Sequence, residues 1–152
     1  MKAALTGVHH LKIWVSDLSR SRSWYERVFG LEHHTSFEDD DGVIRGMAFK
    51  VPGAGFQIAL RENPELARAL SDADPFALEV TREGLDAWLA HLDDLGIPHS
   101  PVIRASGGYA MGFRDPDGVQ LRLYADDDAV HAAQVGSGGV YRAGPAPVVE
   151  HG

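Results

Sequence analysis

The sequence predicts an α+β fold of two tandem βαβββ modules that form a curved mixed sheet with a cup-shaped cavity. Two observations favour this fold. The order strand, helix, strands occurs twice along the chain. The ends of the two copies also match in letters, since FKVPGAGFQIAL (49–60) aligns with FRDPDGVQLRL (113–123) after one insertion. A four-stranded sheet that carries one helix has a second face to cover, and two such faces curled together would enclose a ligand site.

The first module is predicted to span residues 7–62. Its opening segment, HLKIWV, alternates apolar and polar side chains as a half-buried strand does. Apolar residues at helical spacing predict a helix near Ser19 to Phe29, and Gly30 is a good C-terminal stop. Turns at Asp41-Gly42 and at residues 53–55 then separate three further strands.

The second module is predicted to span residues 75–125. It repeats the pattern with the strand PFALEV, a helix that Gly96 ends, and two or three strands leading to Tyr124. Between the modules, Asn63 and Pro64 are suited to the N-cap and first turn of a short helix. We expect residues 1–125 to form a single domain and the Gly/Ala/Pro-rich residues 126–152 to form a C-terminal tail.

Length, charge and cysteine content limit the possible functions. The chain has 152 residues, a formal net charge of −8 and no cysteine. The negative charge argues against nucleic acid or an anionic membrane as a partner, and the lack of cysteine excludes disulfides and thiolate chemistry. No segment reaches the roughly 18 apolar residues of a membrane-spanning helix. These properties predict a cytoplasmic protein.

Two segments resemble a known family. The segment HLKIWVSDLSRSRSWYERVFGLE resembles the opening strand and helix of the vicinal oxygen chelate superfamily, and FRDPDGVQLRLY resembles its closing hairpin. That superfamily includes glyoxalase I, extradiol ring-cleaving dioxygenases, fosfomycin resistance enzymes and bleomycin resistance proteins. The resemblance runs from residue 7 to about 125 and implies paired βαβββ modules and a homodimer. It does not fix the chemistry, because this fold hosts several reactions as well as pure binding.

The resemblance also implies where a metal would bind. Metal-dependent members hold a divalent ion with side chains from four strand positions, which correspond here to His10, Ala59, Pro75 and Arg122. Only His10 has a lone pair to offer, and Arg122 brings a permanent positive charge to the site. We therefore predict no metal and no cofactor at these positions.

Other histidines and carboxylates offer an alternative metal site with relocated ligands. Because neighbours on a strand point to opposite faces, His9 is expected to point away from the cup. We expect His33 and His34 to be exposed beyond a helix end, and the acidic residues 38–41 to form a solvated turn. These expected placements favour the prediction that the protein binds no metal.

Strand alternation predicts a cup lining of aromatic, amide and charged side chains. Arg122 could grip a carboxylate or phosphate, or pair with Glu79 on the neighbouring strand, and the two roles are compatible. The predicted ligand-binding residues are His10, Lys12, Trp14, Gln57, Arg61, Glu79, Tyr109, Met111, Gln120, Arg122 and Tyr124.

The leading functional hypothesis is a metal-independent protein of the bleomycin-resistance type that binds an aromatic or anionic, antibiotic-like small molecule. A second hypothesis is a metal-free isomerase, cyclase or lyase whose catalytic residues are His10 and Glu79. A metal-dependent lyase or dioxygenase with relocated ligands and a pure interaction module remain as further alternatives.

Overall fold

The computed structural model describes residues 1–127 and 129, and the chain divides between Ser71 and Asp72 into two compact units. The first unit contains β1 (His10–Val15), α1 (Leu18–Phe29), β2 (Glu32–Glu38), β3 (Ile44–Lys50), β4 (Gln57–Glu62) and α2 (Pro64–Ala69). The second contains β5 (Ala77–Glu79), α3 (Arg82–Asp94), β6 (Ile103–Ala105), β7 (Gly108–Arg114) and β8 (Gln120–Asp126). The predicted tail lies outside the described residues, apart from its first two positions and residue 129.

The two units have the same sheet topology. Their strands are ordered β1-β4-β3-β2 and β5-β8-β7-β6. In each sheet the first pair is parallel and the other two pairs are antiparallel. This confirms the predicted α+β architecture of two βαβββ modules. The single domain, a cup shared by both modules and the homodimer stay predictions.

The helices of the first unit begin and end at residues whose chemistry suits those positions, among them the predicted Asn63 and Gly30. The Asp17 side chain accepts a hydrogen bond from the backbone N–H of Arg20 at 2.9 Å, which satisfies a free donor at the start of α1. Gly30 follows α1 with φ 62°, a left-handed conformation that glycine adopts without steric cost. Asn63 caps α2 in the same way, accepting from Leu66 N–H at 3.0 Å. No helix in the described part of the chain is long and apolar enough to cross a membrane.

Each unit buries one face of its sheet in its own core. In the first unit, Ile58, Leu60 and Phe49 are at most 1% exposed, and α1 buries Tyr25 completely. In the second unit, the inward residues of β7 and β8 pack with α3, where Leu85 is fully buried. Burying one such side chain stabilises the fold by about 1.5–3 kcal/mol. The alternate residues of each strand therefore lie on the opposite face, which we call the open face of each unit.

Two hairpins share the loop sequence Asp-x-Asp-Gly-Val and also its hydrogen bonds. In each, the carboxylate of the first aspartate, Asp39 or Asp115, accepts from the backbone N–H groups two and four residues further on, at 2.9–3.0 Å. Gly42 and Gly118 have φ values of 76° and 86°, which the turn requires. The hydrogen bond from Val43 N–H is the main cause that lowers the pKa of Asp39 below its ordinary value, with Arg45 adding to it. Asp115 thus holds its turn through two backbone hydrogen bonds.

Candidate functional site

The strand register arranges the open face of the first unit into three rows that cross β1, β4, β3 and β2. The central row carries small side chains at two of its four positions, and bulkier or charged side chains dominate the rows beside it. The first outer row is Trp14, Arg61, Gly46 and Phe37, the central row is Lys12, Ala59, Ala48 and Thr35, and the second outer row is His10, Gln57, Lys50 and Glu32.

A cavity of about 250 Å³ lies on this open face, above the central row. The methyl groups of Ala48 and Ala59 form its floor, and we call this space the trough. Residues on one face of a strand recur about every 6.8 Å, so the outer rows stand about 14 Å apart. The volume is just below the usual range for small-molecule pockets, which suits a compact ligand. The lining residues are His9, His10, Lys12, Phe37, Ala48, Gln57, Ala59, Leu60 and Arg61.

Two cations line the trough, and each lies near an aromatic ring. The guanidinium carbon of Arg61 is 5.4 Å from the centre of the Phe37 ring, and Lys12 Nζ is 6.0 Å from that of Trp14. Both distances lie within the range of cation–π attraction. In the described residues, no Asp or Glu oxygen lies within 4.0 Å of either cation. These positive charges are therefore available to an anion in the trough.

His9 and His10 meet at one end of the trough. Their Nδ1 atoms are 2.9 Å apart, so one nitrogen carries the hydrogen and the other accepts it. The prediction that His9 points away from the ligand site is wrong. Strand β1 begins only at His10, so His9 lies in the preceding loop, where side chains need not alternate.

The other histidines of the first unit do not join this pair. His33 Nε2 lies 2.9 Å from Ser36 Oγ, and its ring meets Phe49 edge to face at 5.8 Å. Across residues 1–127 and 129, no three His, Asp or Glu side chains are clustered so that they could hold a metal ion. Metal independence stays a prediction, which rests on the residues that occupy the family positions.

In the second unit, Arg122 has a counter-ion within its own unit. Its Nε donates to Asp74 Oδ2 at 2.6 Å, and its side chain is only 14% exposed. The predicted pairing with Glu79 is wrong, because the register places Ala77 beside Arg122 and Glu79 beside Tyr124. The partner comes instead from the segment before β5, which strand alternation does not describe.

Other polar groups on this open face also bond within the second unit. Arg114 Nη1 donates to the Asp72 carboxylate and to the carbonyl of Gly118, the latter at 2.8 Å. Gln120 Nε2 donates to the backbone carbonyl of Asp72 at 3.1 Å, and the Tyr124 hydroxyl donates to that of Ser106. The predicted residues Gln120, Arg122 and Tyr124 thus share a face but are already engaged.

Tyr109 and Met111 do not lie on this open face, so their predicted place in the lining is wrong. Strand β7 pairs Tyr109 with Ala125 and Met111 with Leu123, and directly opposed residues point to the same side of a sheet. Met111 is fully buried in the core. The Tyr109 ring lies 4.9 Å from the guanidinium carbon of Arg82, the first residue of α3.

The register shows that five predicted residues share the open face, namely His10, Lys12, Trp14, Gln57 and Arg61, and their role in ligand binding stays a prediction. The sequence prediction missed Phe37, Gly46 and Ala48. Register shifts interrupt the alternation of β2 on both sides of 35–37, so Phe37 could not be assigned to a face from sequence. Glycine and alanine carry no functional group, and only the register shows that they leave space.

Residues 7–123 match the model of the Glyoxalase/Bleomycin resistance protein/Dioxygenase superfamily. The chain belongs to this superfamily. A curated relative, the putative ring-cleaving dioxygenase MhqA of Bacillus subtilis, is 23% identical over 131 residues, which are 82% of this chain. The match spans only 42% of that protein, so this chain covers less than half of its length.

Solved structures of the same fold include proteins of antibiotic resistance and antibiotic binding. TnmS3, an antibiotic binding protein from Streptomyces sp. CB03234, has a TM-score of 0.67 at 20% identity, over 83% of this chain and all of that one. The fosfomycin resistance protein FosX from Listeria monocytogenes has a TM-score of 0.64 at 20% identity, over 84% and 99% of the two chains. At these identities, the likeness shows the fold alone.

Proposed function

We propose that this superfamily member is a metal-independent small-molecule-binding protein, and that it takes a compact aromatic anion in the trough of the first unit. One observation carries the proposal. Lys12 and Arg61 line an alanine-floored cavity, each near an aromatic ring and neither within 4.0 Å of a carboxylate of residues 1–127 and 129.

The arrangement suits a flat ring with an acidic group. The floor formed by Ala48 and Ala59 offers an apolar surface on which a ring can lie. Arg61 can bind a carboxylate, sulfonate or phosphate through two parallel N–H donors, and Lys12 adds a compact positive charge. Because the chain carries a net charge of −8, attraction of an anion depends on these local cations.

The residues at the family's metal positions support binding without a metal. Ala59 and Pro75 have no side-chain donor atom. Arg122 is held by Asp74 and keeps a positive charge where a carboxylate ligand would be expected. Of these four positions only His10 could ligate, and one side chain does not make a metal centre. The antibiotic binding described for TnmS3 supports ligand recognition as a use of this fold.

Titration calorimetry with a matched pair of probes tests the proposal. We expect the protein to bind naphthoate in the presence of EDTA and to bind naphthamide, its uncharged analogue, at least about tenfold more weakly. Lys12→Gln and Arg61→Gln should each weaken naphthoate binding by about tenfold and leave naphthamide nearly unchanged. Equal affinity for the two probes, or naphthoate binding that EDTA abolishes, would refute the proposal.

Arg122→Gln serves as the control variant. It removes a cation at a predicted metal position, but one that Asp74 already neutralises. Its affinity for naphthoate should equal that of the wild type. A loss as large as that of Arg61→Gln would place the anion site in the second unit and contradict the assignment to the trough.

The histidine pair favours a second candidate function, a metal-free isomerase. If His10 Nδ1–H donates to His9 Nδ1, then His10 Nε2 keeps a free lone pair beside the trough and can act as a general base. Such a base would take a proton from carbon next to a carbonyl, and Lys12 or Arg61 would stabilise the enolate formed.

Deuterium exchange tests this candidate. Phenylpyruvate is an aromatic anion with an acidic CH₂ group, and NMR in D₂O follows the loss of its protons. An isomerase of this kind should accelerate the exchange above the rate in buffer, and His10→Gln should abolish the acceleration. Exchange at the rate in buffer would eliminate this candidate and leave the binding proposal intact.

A further inference from the structure

We infer that Gly46 is a specificity-determining residue of the trough, because the space above it lets Arg61 lie across the sheet against Phe37 and form an anion-binding wall. This inference rests on the proposed function. It assigns a role to a residue without a side chain and explains how one cation of the site keeps its orientation.

The register places the three residues in line. Strand β3 pairs Gly46 with Phe37 of β2 on one side and with Arg61 of β4 on the other. The Arg61 guanidinium must therefore pass over Gly46 to come within 5.4 Å of the Phe37 ring centre. Gly46 itself is buried.

A methyl group at position 46 would press against the Arg61 side chain and shift it by a few tenths of an ångström or more. A Cβ atom built on Gly46 would lie 3.2 Å from Arg61 Cδ and 3.3 Å from the backbone carbonyl oxygen of Leu60. Both contacts are tight, and the carbonyl cannot move without disturbing the strand. The arginine side chain would have to give way. Gly46 has no positive φ, so the backbone conformation does not require glycine here.

The position of Arg61 matters for selectivity. Attraction to an aromatic ring reduces the conformational freedom of the guanidinium, so less of that freedom is lost when an anion binds. Its N–H groups have no carboxylate within 4.0 Å among the described residues, so they can donate to a ligand in the trough. An arginine displaced from Phe37 would keep its charge but would lose this orientation.

The second unit supplies a matched control. Strand β7 pairs Gly112 with Arg122 in the same cross-strand manner. A Cβ atom on Gly112 would meet only the backbone oxygen of Leu121, at 3.4 Å, and no atom of Arg122 within 4 Å. The reason is that Arg122 turns toward Asp74 instead of lying over its glycine. Gly112→Ala therefore adds the same methyl group without displacing an arginine.

A double-mutant cycle tests the inference by calorimetry with naphthoate and naphthamide. Gly46→Ala should weaken naphthoate binding by about three- to tenfold and leave naphthamide binding nearly unchanged. In the Arg61→Gln background, the same substitution should change naphthoate binding less than about twofold. Gly112→Ala should leave both affinities at the wild-type values.

Two results would overturn the role of Gly46 while the proposed function stands. One is Gly46→Ala with full preference for naphthoate. The other is an equal loss of naphthoate binding with and without Arg61, which would make Gly46 a part of the floor. Failure of the proposed function is a different result, namely a wild-type protein that does not prefer naphthoate to naphthamide.

NMR of the ligand-free protein gives an independent measurement. The Nε–H proton of Arg61 belongs to the guanidinium group that lies over the Phe37 ring, so it should resonate upfield in the wild type, and Phe37→Leu should remove that shift. Gly46→Ala should reduce it, because the added methyl group presses on Arg61 Cδ, in a spectrum that otherwise remains that of the folded protein. An unchanged shift in Gly46→Ala would show that Arg61 stays in place and would refute the inference.

Discussion

The open faces of the two units differ in what neutralises their cations. In the first unit, Lys12 and Arg61 lie near aromatic rings, and no carboxylate of the described chain reaches them. In the second unit, Arg114 and Arg122 form ion pairs with Asp72 and Asp74. The same sheet topology therefore carries cations that no described carboxylate neutralises in one unit and a satisfied polar network in the other.

The segment before the first strand of each unit accounts for part of this difference. In the second unit this segment contains Asp72 and Asp74, which turn toward the arginines of the open face. In the first unit the residue that precedes β1 is His9, and its ring contacts His10 instead. A carboxylate supplies a permanent negative charge near neutral pH and a histidine does not. Lys12 and Arg61 thus have no counter-ion among the described residues.

The largest expected effect comes from filling the floor of the trough. Ala59→Leu places a bulky side chain in the cavity and should weaken naphthoate binding by more than about a hundredfold, because it fills the space above the alanine floor on which the ring would lie. Calorimetry measures the loss. Ala77→Leu is the control, since Ala77 neighbours Arg122 on the open face of the second unit. Equal losses of naphthoate affinity in Ala59→Leu and Ala77→Leu would contradict the proposed difference in function between the two open faces.

A smaller effect is expected when the ion pair of the second unit is broken. Asp74→Asn leaves Arg122, 14% exposed, without its counter-ion and should lower the free energy of unfolding by about 1 kcal/mol. Urea denaturation measures this change, and naphthoate affinity should stay the same. As a control, Glu79→Gln should leave stability within about 0.5 kcal/mol of the wild type, because Glu79 is exposed and does not pair with Arg122. The reverse order of effects would contradict the observed pairing.

The smallest effect concerns Asp39, in the hairpin loop between β2 and β3. Hydrogen bonds lower the pKa of Asp39 in the folded protein, so its ionised form stabilises the fold above its ordinary pKa. That stabilisation is lost as the pH falls through the lowered pKa, in the acidic range below about pH 4. Asp39→Asn should therefore lose less stability than the wild type between pH 6 and pH 3.

Urea denaturation at the two pH values measures the difference between Asp39→Asn and the wild type. Asp40→Asn is the matched control, because Asp40 is exposed on the same loop and its carboxylate is not the one that accepts the Val43 N–H. If Asp39→Asn and the wild type lose the same free energy of unfolding between pH 6 and pH 3, the hydrogen bonds to Asp39 contribute nothing to the pH dependence.

Local features of the fold were predictable because neighbouring residues produce them. Asp17 and Asn63 cap their helices with their own side chains, and Gly30 ends α1 by adopting a positive φ. Asp115 and Gly118 close their hairpin through contacts within four residues. The alternation of β1 likewise placed Lys12 and Trp14 on one face without knowledge of any partner strand.

The errors arose where distant segments meet. Strand pairing, not alternation within β7, decides that Met111 faces the core. The partner of Arg122 lies 48 residues away in a segment without regular structure, which no periodicity describes. Because of the register shifts in β2, the sequence could not assign Phe37 to a face of the sheet. The role proposed for Gly46 depends on side chains of two neighbouring strands.

The sequence by itself determined that this chain contains two βαβββ modules, and it showed which superfamily it resembles. Tertiary structure alone decided which cations are neutralised and which remain available. Helix caps and turns depend on contacts over a few residues, whereas the charge that faces a ligand depends on which carboxylate the folded chain brings within reach. In this protein Asp74 reaches Arg122, and no carboxylate of the described chain reaches Lys12 or Arg61.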